Sequence, residues 1–132
     1  MTRDDDLSSE GRLWRGSVCW AALDPVRGRE QGGRRPVLVV ASQQYLDVVT
    51  TLALVVPVTS VDRGWPNHIP LRGRTGLGRS SWAMTEQIRT VSRDRLTEIS
   101  GLVDDAMLAD VDVYLADFLG LAVDRTAVRP AT

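Results

Sequence analysis

Apolar residues in this chain come mostly in short unbroken runs bounded by glycine, proline or charge, and only once at helical spacing. SVCWAAL (residues 17–23) is the first run, stopped by Asp24-Pro25, and reads as a strand. VLVVA (37–41) is short, aliphatic and β-branched, the composition of a strand buried on both faces. SQQYLDVV offers one helical turn. TLALVVPVTS (51–60) predicts a further strand, whose Pro57 suggests an edge position or a bulge near its end. DRGWPN reads as a turn, HIPL as a short strand and RGRTGLGRS as a Gly/Arg loop. SWAMTEQIRTV (81–91) predicts a long strand leading to the connector SRDRL. After Asp104 the period changes. Met107, Leu108, Val111, Leu115, Phe118 and Leu119 share one helical face, with Asp104 placed to cap the helix and Gly120 to end it. Five or six short strands and one closing helix predict a mainly β, α+β fold: a small, SH3-like twisted barrel with a C-terminal helix.

No repeat or second domain interrupts the pattern. The 132 residues suit one domain. A domain of this size buries roughly two-thirds of its unfolded surface and needs no staples. The expected organisation is a disordered arm over 1–13, where DDD and SSE offer nothing to bury, a folded domain over 14–121 and a flexible tail over 122–132. The acidic N-terminus argues against a signal peptide, and no window approaches the ~18 apolar residues of a membrane span. A soluble, cytoplasmic chain without a membrane partner is the simple expectation.

Charge changes this bland picture. The net charge is -1, yet residues 11–95 hold thirteen arginines against six acids, while residues 96–132 hold two against seven. Lysine is absent. A basic body of this kind suits a phosphate-binding surface, and equally a solvated surface of alternating Arg and Asp. The chemical inventory is narrow. One histidine, one cysteine and no GxxxxGK[ST] loop leave zinc chemistry, a thiol protease and a P-loop NTPase poorly supported. No metal or other cofactor is expected.

The loop before the second strand concentrates what remains. DPVRGREQGGRRPVLVV (24–40) runs through three glycines and four arginines into Pro36 and a buried strand. RNA carries its own nucleophile, the 2'-hydroxyl, so its cleavage by transesterification asks the protein mainly to align that oxygen and stabilise phosphoryl charge. Arginine is fitted to this, being always charged and able to hold two oxygens with a planar fork.

That stretch resembles the hallmark of the MazF/PemK (Kid) family of toxin endoribonucleases, D-P-x-x-G-x-E-Q-G-G-x-R-P-V-L-V. The likeness continues through VVPVTS (55–60), PNHIPL (66–71) and EQIRTVSRDRL (86–96), and spans roughly residues 13–121 in order. It implies that Arg35 is the catalytic arginine and Thr59 the catalytic threonine, with Ser60 beside it in the substrate-contacting set. Arginine keeps its proton under ordinary conditions and makes a poor base, so the expected role is electrostatic. The bland alternatives are a loop-anchoring ion pair for Arg35 and an ordinary strand threonine for Thr59.

Glu30 is equally suited to accept the 2'-hydroxyl proton, to bond base edges or to tie the loop to Arg35. Gln31 shares that loop. Arg29 departs from the small residue of many relatives and is read as a phosphate contact. The resemblance implies that Gln87 reaches RNA; on a strand it shares a face with Arg89. His68 is a candidate general acid, although a single histidine beside a turn is more often structural. Trp65, in a turn, is the candidate for stacking on an unpaired base, while Trp14, Trp20 and Trp82 are expected in the barrel or its interface. Ser17 stands where relatives carry an acid after Arg-Gly, which bears on base preference.

The family further implies a homodimer, single-stranded RNA as substrate and an antitoxin whose disordered acidic segment occupies the RNA groove. Two other readings stay open: a CcdB-like toxin that inhibits gyrase, and a relative that binds RNA or antitoxin without cutting. The Arg35–Thr59 pair speaks against the first, because a pure protein binder has no need of it.

Overall fold

A computed structural model describes residues 12–23 and 33–121. Its strands are β1 (Ser17–Ala21), β2 (Arg35–Val39), β3 (Leu52–Thr59), β4 (His68–Pro70), β5 (Gly73–Arg74), β6 (Trp82–Met84), β7 (Arg89–Ser92) and β8 (Leu96–Val103). The helices are α1 (Gln43–Val48) and α2 (Asp105–Leu119). All strand pairs are antiparallel, in the order β4-β6-β3-β2-β1-β8-β5, with β7 next to β6 along the same side of β3. β4 and β5 lie at opposite ends of this order, yet only Leu71 and Arg72 separate them in the chain. So short a link forces the sheet to curl until its ends meet, and a half-barrel results.

The unbroken apolar runs have a simple cause: β1, β2 and β3 bury both faces. Val18, Leu38, Val56 and Val58 join a cluster closed by Met107, Leu108, Val111 and Leu115 of α2. Cys19, Ala21, Val37, Val39, Ala53 and Val55 join a second, with Leu13, Leu46 of α1 and Val91. Each fully buried Leu, Met or Val in these layers contributes roughly 1.5–3 kcal/mol relative to exposure. The α2 ends are as expected. The Asp104 carboxylate accepts the Met107 N–H, and Gly120, at φ 68°, donates its N–H to the carbonyls of Ala116 and Asp117.

Several sequence expectations are corrected. The long strand over 81–91 is broken by a 3-10 turn, Thr85–Gln87. On one side of it Ala83 faces Val58, on the other Arg89 faces Val55. Of the two positions expected for Pro57, an edge or a bulge, the edge is excluded: Pro57 sits where β3 changes partner from β7 to β6. Because the Val40 N–H donates to the Leu54 carbonyl, residues 54, 56 and 58 turn their backbone groups to β2, and 55, 57 and 59 turn theirs away. The missing N–H of Pro57 therefore falls in the gap between β7 and β6, where no ladder bond is lost. Strand β8 was not expected, nor was β5 within the Gly/Arg loop. Leu13, assigned by pattern to the arm, is 5% exposed and packed in the core. The rest of the expected arm (1–11) and the tail (122–132) lie outside the described residues. No helix among the described residues is long and apolar enough to cross a membrane.

Candidate active site

β2 and β3 run antiparallel with Val37 opposite Pro57 and Val39 opposite Val55. The same register, carried two residues further, sets Arg35 opposite Thr59. At this end of the strands lies an open cleft of about 610 Å³, lined by both residues and by Ser60 and Gln87.

Adjacent arginines take opposite roles here. Arg34 is held by β8: its guanidinium donates to Thr97 Oγ1 at 3.0 Å, pairs with Glu98 at 3.3 Å and lies 5.6 Å from the Trp20 ring centroid. Arg35 is exposed and makes no ion pair or hydrogen bond with a described side chain. Pro36 follows it and fixes the backbone where it enters the sheet, opposite Trp20. The Thr59 hydroxyl oxygen accepts the Val61 N–H at 3.0 Å. That bond orients the hydroxyl and leaves its proton free to donate to an anion.

Gln87 enters the cleft from the 3-10 turn, not from a strand, so the shared face with Arg89 does not exist. A carboxylate organises this turn. Glu86 Oε1 accepts from Asn67 Nδ2 at 2.8 Å and lies 3.1 Å from His68 Nε2; Glu86 Oε2 accepts from Gln87 Nε2 at 3.2 Å. Thr85 Oγ1 donates to the Asn67 carbonyl at 2.7 Å. Desolvation raises the Glu86 carboxyl, but the hydrogen bonds from His68, its own backbone N–H and Gln87 outweigh it, and the pKa is lowered. His68 is 5% exposed and outside the cleft, its ring 4.7 Å from that of Trp65. Neither residue lines the cleft. Arg29, Glu30 and Gln31 lie outside the described residues.

Sequence reasoning missed Arg63, Arg79 and Trp20, which line the cleft with Met84. Arg63 belongs to the turn after β3 and Arg79 to the Gly/Arg loop before β6, and nothing in the one-dimensional pattern says that these loops share one groove. Trp20 was expected in the barrel or its interface; it is half-buried and forms part of the cleft wall. Ser17 is buried, away from the cleft. Among the described residues, no three His, Cys, Asp or Glu side chains gather as metal ligands.

Fold and site together define a small half-barrel protein with an arginine-rich cleft at the ends of its central strands. Residues 14–119 match the family described as PemK-like, MazF-like toxin of type II toxin–antitoxin system, and the chain belongs to that family. It is 37% identical to Endoribonuclease EndoA of Bacillus subtilis over 109 residues, 81% of this chain and 94% of that protein. It is 36% identical to Endoribonuclease MazF9 of Mycobacterium tuberculosis over 81% of this chain and 96% of the relative. Among solved structures, a Deinococcus radiodurans MazE–MazF crystal structure aligns with TM-score 0.72 and 31% identity, covering 84% of this chain and 98% of that one. MazF alone from the same organism gives TM-score 0.67 and 34% identity, over 83% and 97%. The mainly β fold with a C-terminal helix and the family resemblance are thereby borne out.

Proposed function

We propose that this chain is a sequence-specific endoribonuclease toxin that cuts single-stranded RNA without a metal ion, through attack of the 2'-hydroxyl on the adjacent phosphate. The observation that carries the reading is the convergence of Arg35 and Thr59, from neighbouring strands, on one open cleft. In the reaction the 2'-oxygen–phosphorus bond forms and the phosphorus–5'-oxygen bond breaks. The 2'-hydroxyl gives up its proton and the departing 5'-oxygen gains one, leaving a 2',3'-cyclic phosphate and a 5'-hydroxyl. Arg35 stabilises charge on the phosphoryl oxygens, and the Thr59 hydroxyl donates to one of them and sets the phosphate's orientation. Gln87, fixed by Glu86, contacts the RNA beside the scissile bond.

The names of the relatives support the activity, and the MazE–MazF structures support an antitoxin partner. In this reading an acidic segment of that antitoxin competes with RNA for the cleft. A cytoplasmic homodimer, with RNA running along the groove between subunits, completes the proposal.

The test is cleavage of a long unstructured RNA in EDTA, with product ends mapped and chemically typed. Discrete cuts ending in cyclic phosphate are expected. Arg35→Ala should fold normally and lose about 10²–10³ in kcat, the scale for removing one charge-stabilising donor. Intact RNA from a folded wild-type protein would overturn the reading.

A further inference from the structure

The cleft holds more positive charge than one scissile phosphate requires. Arg35, Arg63 and Arg79 all line it, from β2, the turn after β3 and the loop before β6. Most other described arginines are tied to the protein. Arg12 pairs with Asp47, Arg15 with Asp112, Arg34 with Glu98 and Arg72 with Asp110. Arg93 and Arg95 donate to backbone carbonyls. Arg74 is exposed and outside the cleft.

Neither Arg63 nor Arg79 pairs with a carboxylate of a described residue. The acid nearest in sequence to Arg63 is already used: Asp62 Oδ1 accepts the Gly64 N–H at 2.9 Å, in a turn where Gly64 has φ 73°. The backbone at Arg79 is held too, its carbonyl accepting from Ser81 Oγ at 2.9 Å. Both arginines thus rise from fixed turns, and no described side chain engages either guanidinium group. Like charges gathered on one groove repel, and an anionic ligand with several charges is what relieves that repulsion.

Building on the endoribonuclease reading, we propose that Arg63 and Arg79 each bind an RNA phosphate other than the one at Arg35 and Thr59. The cleft then grips a strand through at least three phosphates. These two arginines are positioning residues: they set where the strand lies, and the chemistry stays with Arg35 and Thr59.

The experiment measures binding of a 2'-O-methylated single-stranded RNA, which lacks the nucleophile, between about 50 and 200 mM salt. Each phosphate contact contributes about 0.7 to the slope of log affinity against log salt for single strands. Arg63→Gln and Arg79→Gln should each lower the slope by about 0.7, and Arg63→Lys should restore most of it. On cleavable RNA both Gln variants should raise KM several-fold with kcat nearly unchanged. Unchanged slopes in folded variants overturn the proposal, as does a loss confined to kcat. Weaker binding of an acidic peptide with RNA slopes intact would assign these arginines to a protein partner and overturn it as well. A wild-type protein that binds RNA but never cuts it would sink the nuclease reading instead, and the slopes would still report on the phosphate contacts.

Discussion

Glu86 is one acceptor serving three side-chain donors: Asn67, the buried His68 and the cleft residue Gln87. Replacing it with Ala leaves the His68 ring nitrogen without a partner beside the core, which costs about 1–3 kcal/mol. Gln87 loses its anchor in the same step, so Glu86→Ala should lower the unfolding midpoint and raise KM more than it lowers kcat; an unchanged midpoint would remove this role. The pH effect has a definite sign. A lowered folded-state pKa means Glu86 adds stability fully present above its ordinary value of 4.5 and lost as pH falls through the lowered one. Denaturant unfolding across that window should show a smaller acid-induced loss in Glu86→Gln than in wild type. Cys19 behaves oppositely. It is completely buried, and burial pushes its thiol up to about 12. Thiol reagents at neutral pH should therefore modify it only as fast as the protein opens, and rapid labelling of the native state would contradict the burial.

Among the elements, β8 shows why part of the fold was hidden. Its pairing with β1 shifts register between Val18 and Cys19 and again between Trp20 and Ala21. At these irregularities Ser100 Oγ donates to the Thr75 carbonyl at 2.8 Å and lies 3.3 Å from that of Val18, and Thr97 Oγ1 donates to the Trp20 carbonyl. Two interruptions erase the alternation by which a half-buried strand is read, and LTEISGLV looks like a connector. β1, β2, β3 and α2 were legible because burial on both faces, or a helical stripe with caps, leaves a pattern that local irregularity does not reach. Within the candidate site, Arg35 and Thr59 were singled out only through likeness to a motif, since which strand ends adjoin is a property of the sheet. Gly101 marks the tightest approach. A Cβ there would lie 2.0 Å from the Arg74 carbonyl oxygen, and backbone cannot yield as a side-chain tip would. Gly101→Ala should lose about 1–3 kcal/mol or more, read by thermal unfolding, whereas Gly78→Ala, facing open space, should lose far less.

At the scale of the molecule, the first strand is completed by the last. β1 lies between β2 and β8, and Ser17 pairs with Leu102. Contacts this distant in sequence place refolding in the millisecond-to-second range, slower than a helical protein of equal length. Stopped-flow tryptophan fluorescence is the direct check, and microsecond refolding would contradict the topology. The two-residue link at Leu71 and Arg72 has a further consequence. β4 and β5, which it joins, do not pair with each other, so severing it breaks no strand ladder. Yet β6 and β7 rest on β3, and β8 on β1, so neither half can complete its sheet alone. Two fragments divided at this point should remain inert when made separately and assemble when they meet, giving a split enzyme whose activity reports that both pieces are present in the same place.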